Sequence, residues 1–180
     1  ELGNFWVDLV RGTLRILLPV AFVGAILLIS QGVIQNFADH TVQTVTGGSQ
    51  VIPGGPVASQ ESIKELGTNG GGFFNANSAH PCENANPFSN LIEMFLILLI
   101  PISLTRTLGT MVGSRKQGLS ILGAMTFLIA ASVTITTWAE AGARSQAGKL
   151  AGAAMEGKET QFGEWSSSLW AVLTTGTSTG

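Results

Sequence analysis

The sequence predicts an all-α membrane protein built from units of span, re-entrant loop and span. Three observations predict it. Apolar residues make up 45% of 180 and charged residues only 11%, less than half of the ~25% of a soluble domain. Three stretches stay apolar for about 20 residues, the length that crosses a bilayer. Two shorter segments of about 10–12 residues cannot cross, and each runs into a Thr/Gly cluster.

The first span covers roughly 14–34, with Arg15 at its edge and Pro19 inside. The second covers roughly 91–112, with Pro101 and Arg106 inside, and the third roughly 119–138, with no formal charge. Proline in such helices is tolerated because neighbouring groups satisfy the freed carbonyl. Residues 2–12 place apolar groups at helical spacing and read as an interfacial lead-in to the first span. Three buried helices of a large soluble protein are the alternative, but the connecting segments hold too few charges to solubilise them.

Composition excludes several classes. A disordered chain would be apolar-poor and charge-rich. Nine basic against eleven acidic residues, net charge −2, argue against binding nucleic acid through a basic surface. The single cysteine, Cys82, excludes an intrachain disulfide framework and a Cys-cluster zinc site. The aspartates are Asp8 and Asp39 alone, neither in D-K-T-G, and no G-x-x-x-x-G-K-[ST] run occurs. No hydrolytic chemistry is expected of this chain. It opens at Glu1 without Met and stops within a Thr/Ser/Gly run, so it is expected to be a piece of a longer protein. No signal-peptide pattern opens it.

Orientation follows from the basic residues. Arg106, near the inner end of span two, clusters with Arg115 and Lys116 of the link to span three, whereas Lys64 is the only Lys or Arg among residues 37–90. The positive-inside rule puts the 113–118 turn in the cytoplasm and the long segments outside.

The two short segments are 57–66 (VASQESIKEL) and 164–175 (EWSSSLWAVLTT). Their length suits re-entrant helices. Ser59, with Gln60 and Glu61 after it, reads as the start of the first. The first helix runs into Gly67-Thr68-Asn69-Gly70-Gly71-Gly72 and the second into Thr175-Gly176-Thr177-Ser178-Thr179-Gly180. The order span, outer segment, short helix and Thr/Gly run therefore occurs twice. Gly70 and Gly180 are 110 positions apart. Residues 1–112 form one unit, its re-entrant helix and loop at about 57–72. Residues 113–180 form a second, cut at its loop.

Three readings fit the glycine run. It is a flexible linker, a phosphate cradle, or a cation filter. The cradle lacks its motif, and no helix begins at the glycines. Thr68-x-Gly70-x-Gly72 has the spacing of the potassium-channel filter, in which backbone carbonyls replace the ion's water. Irregular backbone at membrane depth is tolerated only where it is buried in protein or lines a polar cavity, and glycine permits the dihedrals. One loop supplies too few oxygens, since a ring takes about four. A membrane scaffold with linker loops is the competing class, and cation binding separates the two.

The run LGTNGGGFFNANSAHP (66–81), with GPVASQESIK (55–64), GNFWVDLVR (3–11) and MEGKETQFG (155–163), resembles KdpA, the family of potassium-binding subunits of the bacterial Kdp potassium-transporting ATPase. The similarity extends through essentially all 180 residues. That family is similar in fold to potassium channels and symporters, with four span–loop–span repeats around a filter. The resemblance implies that this chain covers the second repeat and most of the third. It implies potassium binding through Thr68, Asn69, Gly70 and Gly71 and through Thr177, Ser178, Thr179 and Gly180. Gly72, Phe73, Phe74, Asn75 and Asn77 would support the filter. It further implies a multi-pass protein of the bacterial inner membrane, surrounded by lipid. Such a protein would not itself hydrolyse ATP. Its expected partners are the ATP-hydrolysing P-type component KdpB and the accessory components KdpC and KdpF. Potassium is then substrate, and no covalent cofactor is expected. A free-standing channel or symporter of the same superfamily is the alternative. The family often carries Cys where this chain has Thr179, and an aromatic residue is expected where Cys82 stands.

Other residues have plainer readings. His80 has no second His at ligand spacing and reads as a hydrogen-bonded vestibule residue rather than a metal ligand. Glu93 reads as an acid that snorkels to water from the outer end of span two. Glu61 and Glu83 read as acids at the mouth, or simply as solvated ones. Arg106 reads as a positive-inside anchor.

Overall fold

A computed structural model describes residues 3–74, 76–141, 150, 154–155 and 157–179. Its described elements are almost all helical. Helix α1 (Phe5–Gly12) passes through a π-helical turn at Thr13–Leu17 into α2 (Leu18–Ser30). Strands β1 (His40–Gln43) and β2 (Ser49–Ile52) follow. Then come α3 (Val57–Leu66), a 3-10 turn at Ala76–Ser78, α4 (Pro87–Met111), α5 (Arg115–Glu140) and α6 (Gly163–Gly176).

Three helices are long and apolar enough to cross a membrane: Phe5–Ser30, Pro87–Met111 and Arg115–Glu140. Each departs from its sequence-read bounds, the first two for a visible physical reason. The lead-in is continuous with the first span, started by Asn4, whose side chain accepts the Trp6 and Val7 N–H groups. The π turn falls just before Pro19, where a proline ring would crowd the carbonyl of residue 15 in a regular helix. Helix α4 starts four residues early because Asn86 caps it: its Oδ1 accepts Phe88 N–H at 2.9 Å and Ser89 N–H at 3.0 Å. Pro87, which has no N–H to satisfy, takes the first helical position.

The contacts divide the chain into two compact units, residues 1–66 with 71–93, and residues 67–70 with 94–180. In the first unit, α3 lies on the small-residue face of α2, where Ala21, Gly24, Ala25 and Leu28 are buried. Small residues let helices approach closely, and Ser62 Oγ donates to the Ala21 carbonyl at 2.7 Å. Helix α3 begins at Val57, two residues before Ser59. Its first N–H groups are satisfied from outside the helix: Ala58 N–H by the Ile34 carbonyl at 2.9 Å, Ser59 N–H by Gln35 Oε1 at 3.0 Å. The β1–β2 hairpin is antiparallel, with His40 opposite Ile52 and Gln43 opposite Ser49. It closes through a turn in which Thr44 N–H and Oγ1 both donate to the Gly48 carbonyl. In the second unit, α5 packs on α6. The ends of α4 and α5 meet closely at Gly109 and Gly118, where a Cβ on Gly118 would lie 2.5 Å from the Thr105 carbonyl oxygen.

Candidate cation-binding site

The residues between α3 and α4 form a loop of unusual backbone. Thr68 has φ +52°, Asn77 +56°, Ser78 +55° and Gly71 +104°. Thr68, Asn77 and Ser78 are the only non-glycine residues at positive φ among those described. Such a conformation is a marked outlier for a β-branched residue like Thr68. Strain of this kind persists where the surroundings over-determine it, as at binding sites.

From Gly71 onward the loop is held by a buried charge cluster. Lys64, on α3, is 4% exposed, and Glu61, Glu65, Glu83 and Glu93 are 0% exposed. Four oxygens surround Lys64 Nζ: Glu61 Oε2 at 2.5 Å, Ser78 Oγ at 2.6 Å, Glu65 Oε1 at 3.1 Å and the Gly71 carbonyl at 3.1 Å. Ser78 Oγ also hydrogen-bonds to both Glu61 and Glu65. The Gly71 carbonyl accepts a second bond from Asn77 N–H at 2.9 Å, so both its lone pairs are engaged. Just past the run, Phe74 N–H donates to Glu83 Oε1 at 2.8 Å.

Burial pushes the Glu65 carboxyl up to about 7, against the lowering influence of Lys64. Glu61 is raised in the same way. Burial alone would lower the Lys64 ammonium, but the charges of Glu65 and Glu61 outweigh it and hold it above its ordinary value.

The aromatic residues pack beside this network. Phe73 and Phe74 meet edge to face at 5.0 Å, and Phe74 stacks on His80 at 4.7 Å. Gly55 is needed for this, because a Cβ there would enter the Phe73 ring. His80 Nδ1 accepts the Cys82 N–H at 3.1 Å, the hydrogen-bonded role read from sequence. Asn77 bonds to the backbone of the glycine run, and it does so through its own N–H.

The second Thr/Gly run begins in the last two residues of α6, Thr175 and Gly176, and continues past its end. Thr177 Oγ1 reaches the Leu173 and Thr174 carbonyls at 3.1 and 3.2 Å and lies 3.2 Å from Thr179 Oγ1. Ser178 Oγ lies 3.1 Å from Thr68 Oγ1 and donates to the Thr68 carbonyl at 2.6 Å. The structure thus joins Thr68 to Ser178 directly. Asn69 and Gly70 are exposed, and Gly72 is half-buried. Asn75 and Gly180, also expected at the site, lie outside the described residues.

The family model for KdpA, the potassium-transporting ATPase A subunit, matches residues 1–180. The chain belongs to this family. Curated relatives named potassium-transporting ATPase potassium-binding subunit are similar throughout. The one from Kineococcus radiotolerans is 63% identical over 99% of this chain. Those from Streptomyces griseus and Mycolicibacterium smegmatis are 61% and 59% identical over all of it. The chain spans about a third of the length of these relatives, 32% of the first and 33% of the other two.

Three sequence readings need correction within this KdpA segment. Glu93 does not snorkel: it is fully buried, and among the described residues neither of its oxygens has a hydrogen-bond partner. Glu61 and Glu83 are not solvated acids at a mouth but buried ones. Their carboxylates do their work inside, against Lys64, Ser78 and the Phe74 N–H. Sequence reasoning also passes over Lys64 and Ser78. The available signal is the spacing of Glu61, Lys64 and Glu65, which puts three charges on one face of a short helix.

Proposed function

We propose that this segment carries two of the loops through which a KdpA-type protein binds external potassium and passes it across the bacterial inner membrane. Thr68, Asn69 and Gly70 supply carbonyls from one loop, and Thr177, Ser178, Thr179 and Gly180 supply them from the other. Gly71, which the resemblance implies as a further carbonyl ligand, instead anchors the first run, because Lys64 and Asn77 already hold its oxygen. The protein has no hydrolytic chemistry and works in a complex in which the P-type component KdpB hydrolyses ATP, with KdpC and KdpF as accessory components. The 113–118 turn faces the cytoplasm and the loops face outside.

The observation that carries this reading is the bond between Thr68 and Ser178. These residues are offset by 110, as are Gly70 and Gly180. Equivalent positions of two repeats meet when both face a common axis, and linker loops have no reason to meet there. A filter needs such convergence, since stripping a cation of water is costly unless several oxygens replace it.

The test is Gly70→Asp in the full-length protein within its complex, with uptake measured at low external potassium. A side chain and a negative charge in the run are expected to abolish high-affinity uptake. Unaltered uptake removes the filter assignment. Uptake that persists without the ATP-hydrolysing component favours a free-standing channel or symporter.

A further inference from the structure

We propose that Lys64 is a positioning residue for ion discrimination, its buried ammonium fixing the Gly71 carbonyl and through it the path of the filter loop. This rests on the filter reading above and extends it to a residue that touches no ion. Three observations carry it.

The first is the geometry at Nζ. An ammonium has three protons to donate, and four oxygens lie within 3.1 Å of it. Three belong to side chains of the acid and serine cluster. The fourth is the backbone oxygen of Gly71. The cation thus ties a rigid buried cluster to one peptide group of the loop. The residue that carries that oxygen sits at φ +104°, a conformation open to glycine, and the oxygen's second lone pair takes the Asn77 N–H.

The second is charge. Glu61, Glu65 and Glu93 bring carboxylate oxygens within 4.8 Å of one another. The Lys64 ammonium stands against two of them, Glu61 and Glu65. The cluster's cation is therefore covalently tethered to α3. Its position is set by the helix and not by the ion concentration outside, as a positioning device requires.

The third is asymmetry between the repeats. Adding 110 to 61, 64 and 65 gives Ala171, Thr174 and Thr175. No ammonium or carboxylate stands at those positions in α6, and Thr174 Oγ1 bonds locally to the Trp170 carbonyl at 3.0 Å. A filter made of loops that differ in stiffness can hold one loop fixed while others adapt. The cage assigns the fixed role to the loop of Thr68–Gly72. Glu83, accepting from Phe74 N–H, holds the chain just past that run.

The experiment uses the full-length protein in its complex, at matched membrane levels, with potassium KM and rubidium-to-potassium uptake ratio as readouts. Lys64→Met alone strands buried carboxylates, so the charge-matched pair Lys64→Met with Glu61→Gln is the informative variant, with Lys64→Arg beside it. Losing a charge-assisted hydrogen bond to the loop is expected to raise the potassium KM about ten-fold or more. The rubidium ratio is expected to move toward one, while uptake at saturating potassium changes far less. Lys64→Arg keeps the charge and is expected to restore part of the discrimination. Wild-type KM and rubidium ratio in the pair overturn the proposal. If the pair fails to reach the membrane, Lys64→Arg decides: its longer, planar head displaces the donor, and unchanged KM and ratio overturn the proposal equally. Gly70→Ala, run in parallel, separates the two failures. If Gly70→Ala shifts the rubidium ratio and the Lys64 variants do not, the Lys64 role alone fails. If neither shifts it, the filter reading fails as well.

Discussion

Thr68 and Ser178 share two hydrogen bonds across 110 residues, one between their hydroxyls at 3.1 Å and one from Ser178 Oγ to the Thr68 carbonyl at 2.6 Å. The second bond also bears on Thr68's backbone, which sits at φ +52°. Ser178 Oγ thus reaches both the side chain and the backbone of Thr68.

A double-mutant cycle tests that coupling. Thr68→Val and Ser178→Ala, singly and together in the full-length protein, are expected to show a coupling energy of about 1 kcal/mol in potassium dissociation constants. Strictly additive effects would mean that the two loops do not act together.

The pH dependence of stability should carry the mark of Glu65. Its carboxyl is raised from 4.5 to about 7 by burial, with Lys64 opposing. A raised carboxyl means that the folded state holds the proton more tightly than the unfolded chain. Its contribution is fully present below pH 4.5 and disappears as pH rises through about 7. The groups around it are Glu61, Lys64, Ser78 and Glu93. The purified protein is expected to melt at higher temperature at about pH 6 than at about pH 8, and Glu65→Gln should flatten that difference. An identical slope in Glu65→Gln would assign the pH effect to another group.

At the turn joining α4 and α5, Gly118 has no room for a side chain. Gly118→Val is expected to destabilise by about 1–3 kcal/mol through overpacking against Thr105 and Gly109. A lower melting temperature or reduced membrane level, with potassium KM unchanged in the surviving protein, is the expected pattern.

Cys82 is expected to be dispensable. Its thiol is pushed up by burial and by the charge of Glu83, which leaves little thiolate to react. Cys82→Ser should leave stability within about 0.5 kcal/mol and uptake unchanged. Maleimide labelling at about pH 7 should be slow. Rapid labelling would contradict the partly buried setting.

Much of the architecture is legible in the sequence because its signals are local. About twenty apolar residues in a row must be a span if the chain meets a membrane. The short helix at 57–66 is legible from its length and from the Thr/Gly run after it, but its start is not: Ser59 has the residue type of a cap, whereas the helix begins at Val57 because Ile34 and Gln35 supply the first acceptors. The π turn before Pro19 is not legible, since it is a backbone response to the proline and leaves no residue pattern. The hairpin at 40–52 escapes notice because its strands are four residues each and largely exposed, so no buried face gives them an alternating pattern. The buried cluster is hidden for a different reason. Glu and Lys are almost never fully buried unless paired, and the partners come from three separated places: α3, Ser78 and α4. The Thr68–Ser178 bond is foreshadowed by the 110-residue repeat, which aligns the loops without saying that they touch.

The hairpin has a practical use. Its tip closes on itself through Thr44 and Gly48, and Val45 there is wholly exposed. Extra sequence spliced between Thr46 and Gly47 would hang from a self-contained loop and leave the strand register untouched. An epitope placed at that tip, stained on intact cells, gives experimenters a flag for deciding which side of the envelope this part of the chain inhabits.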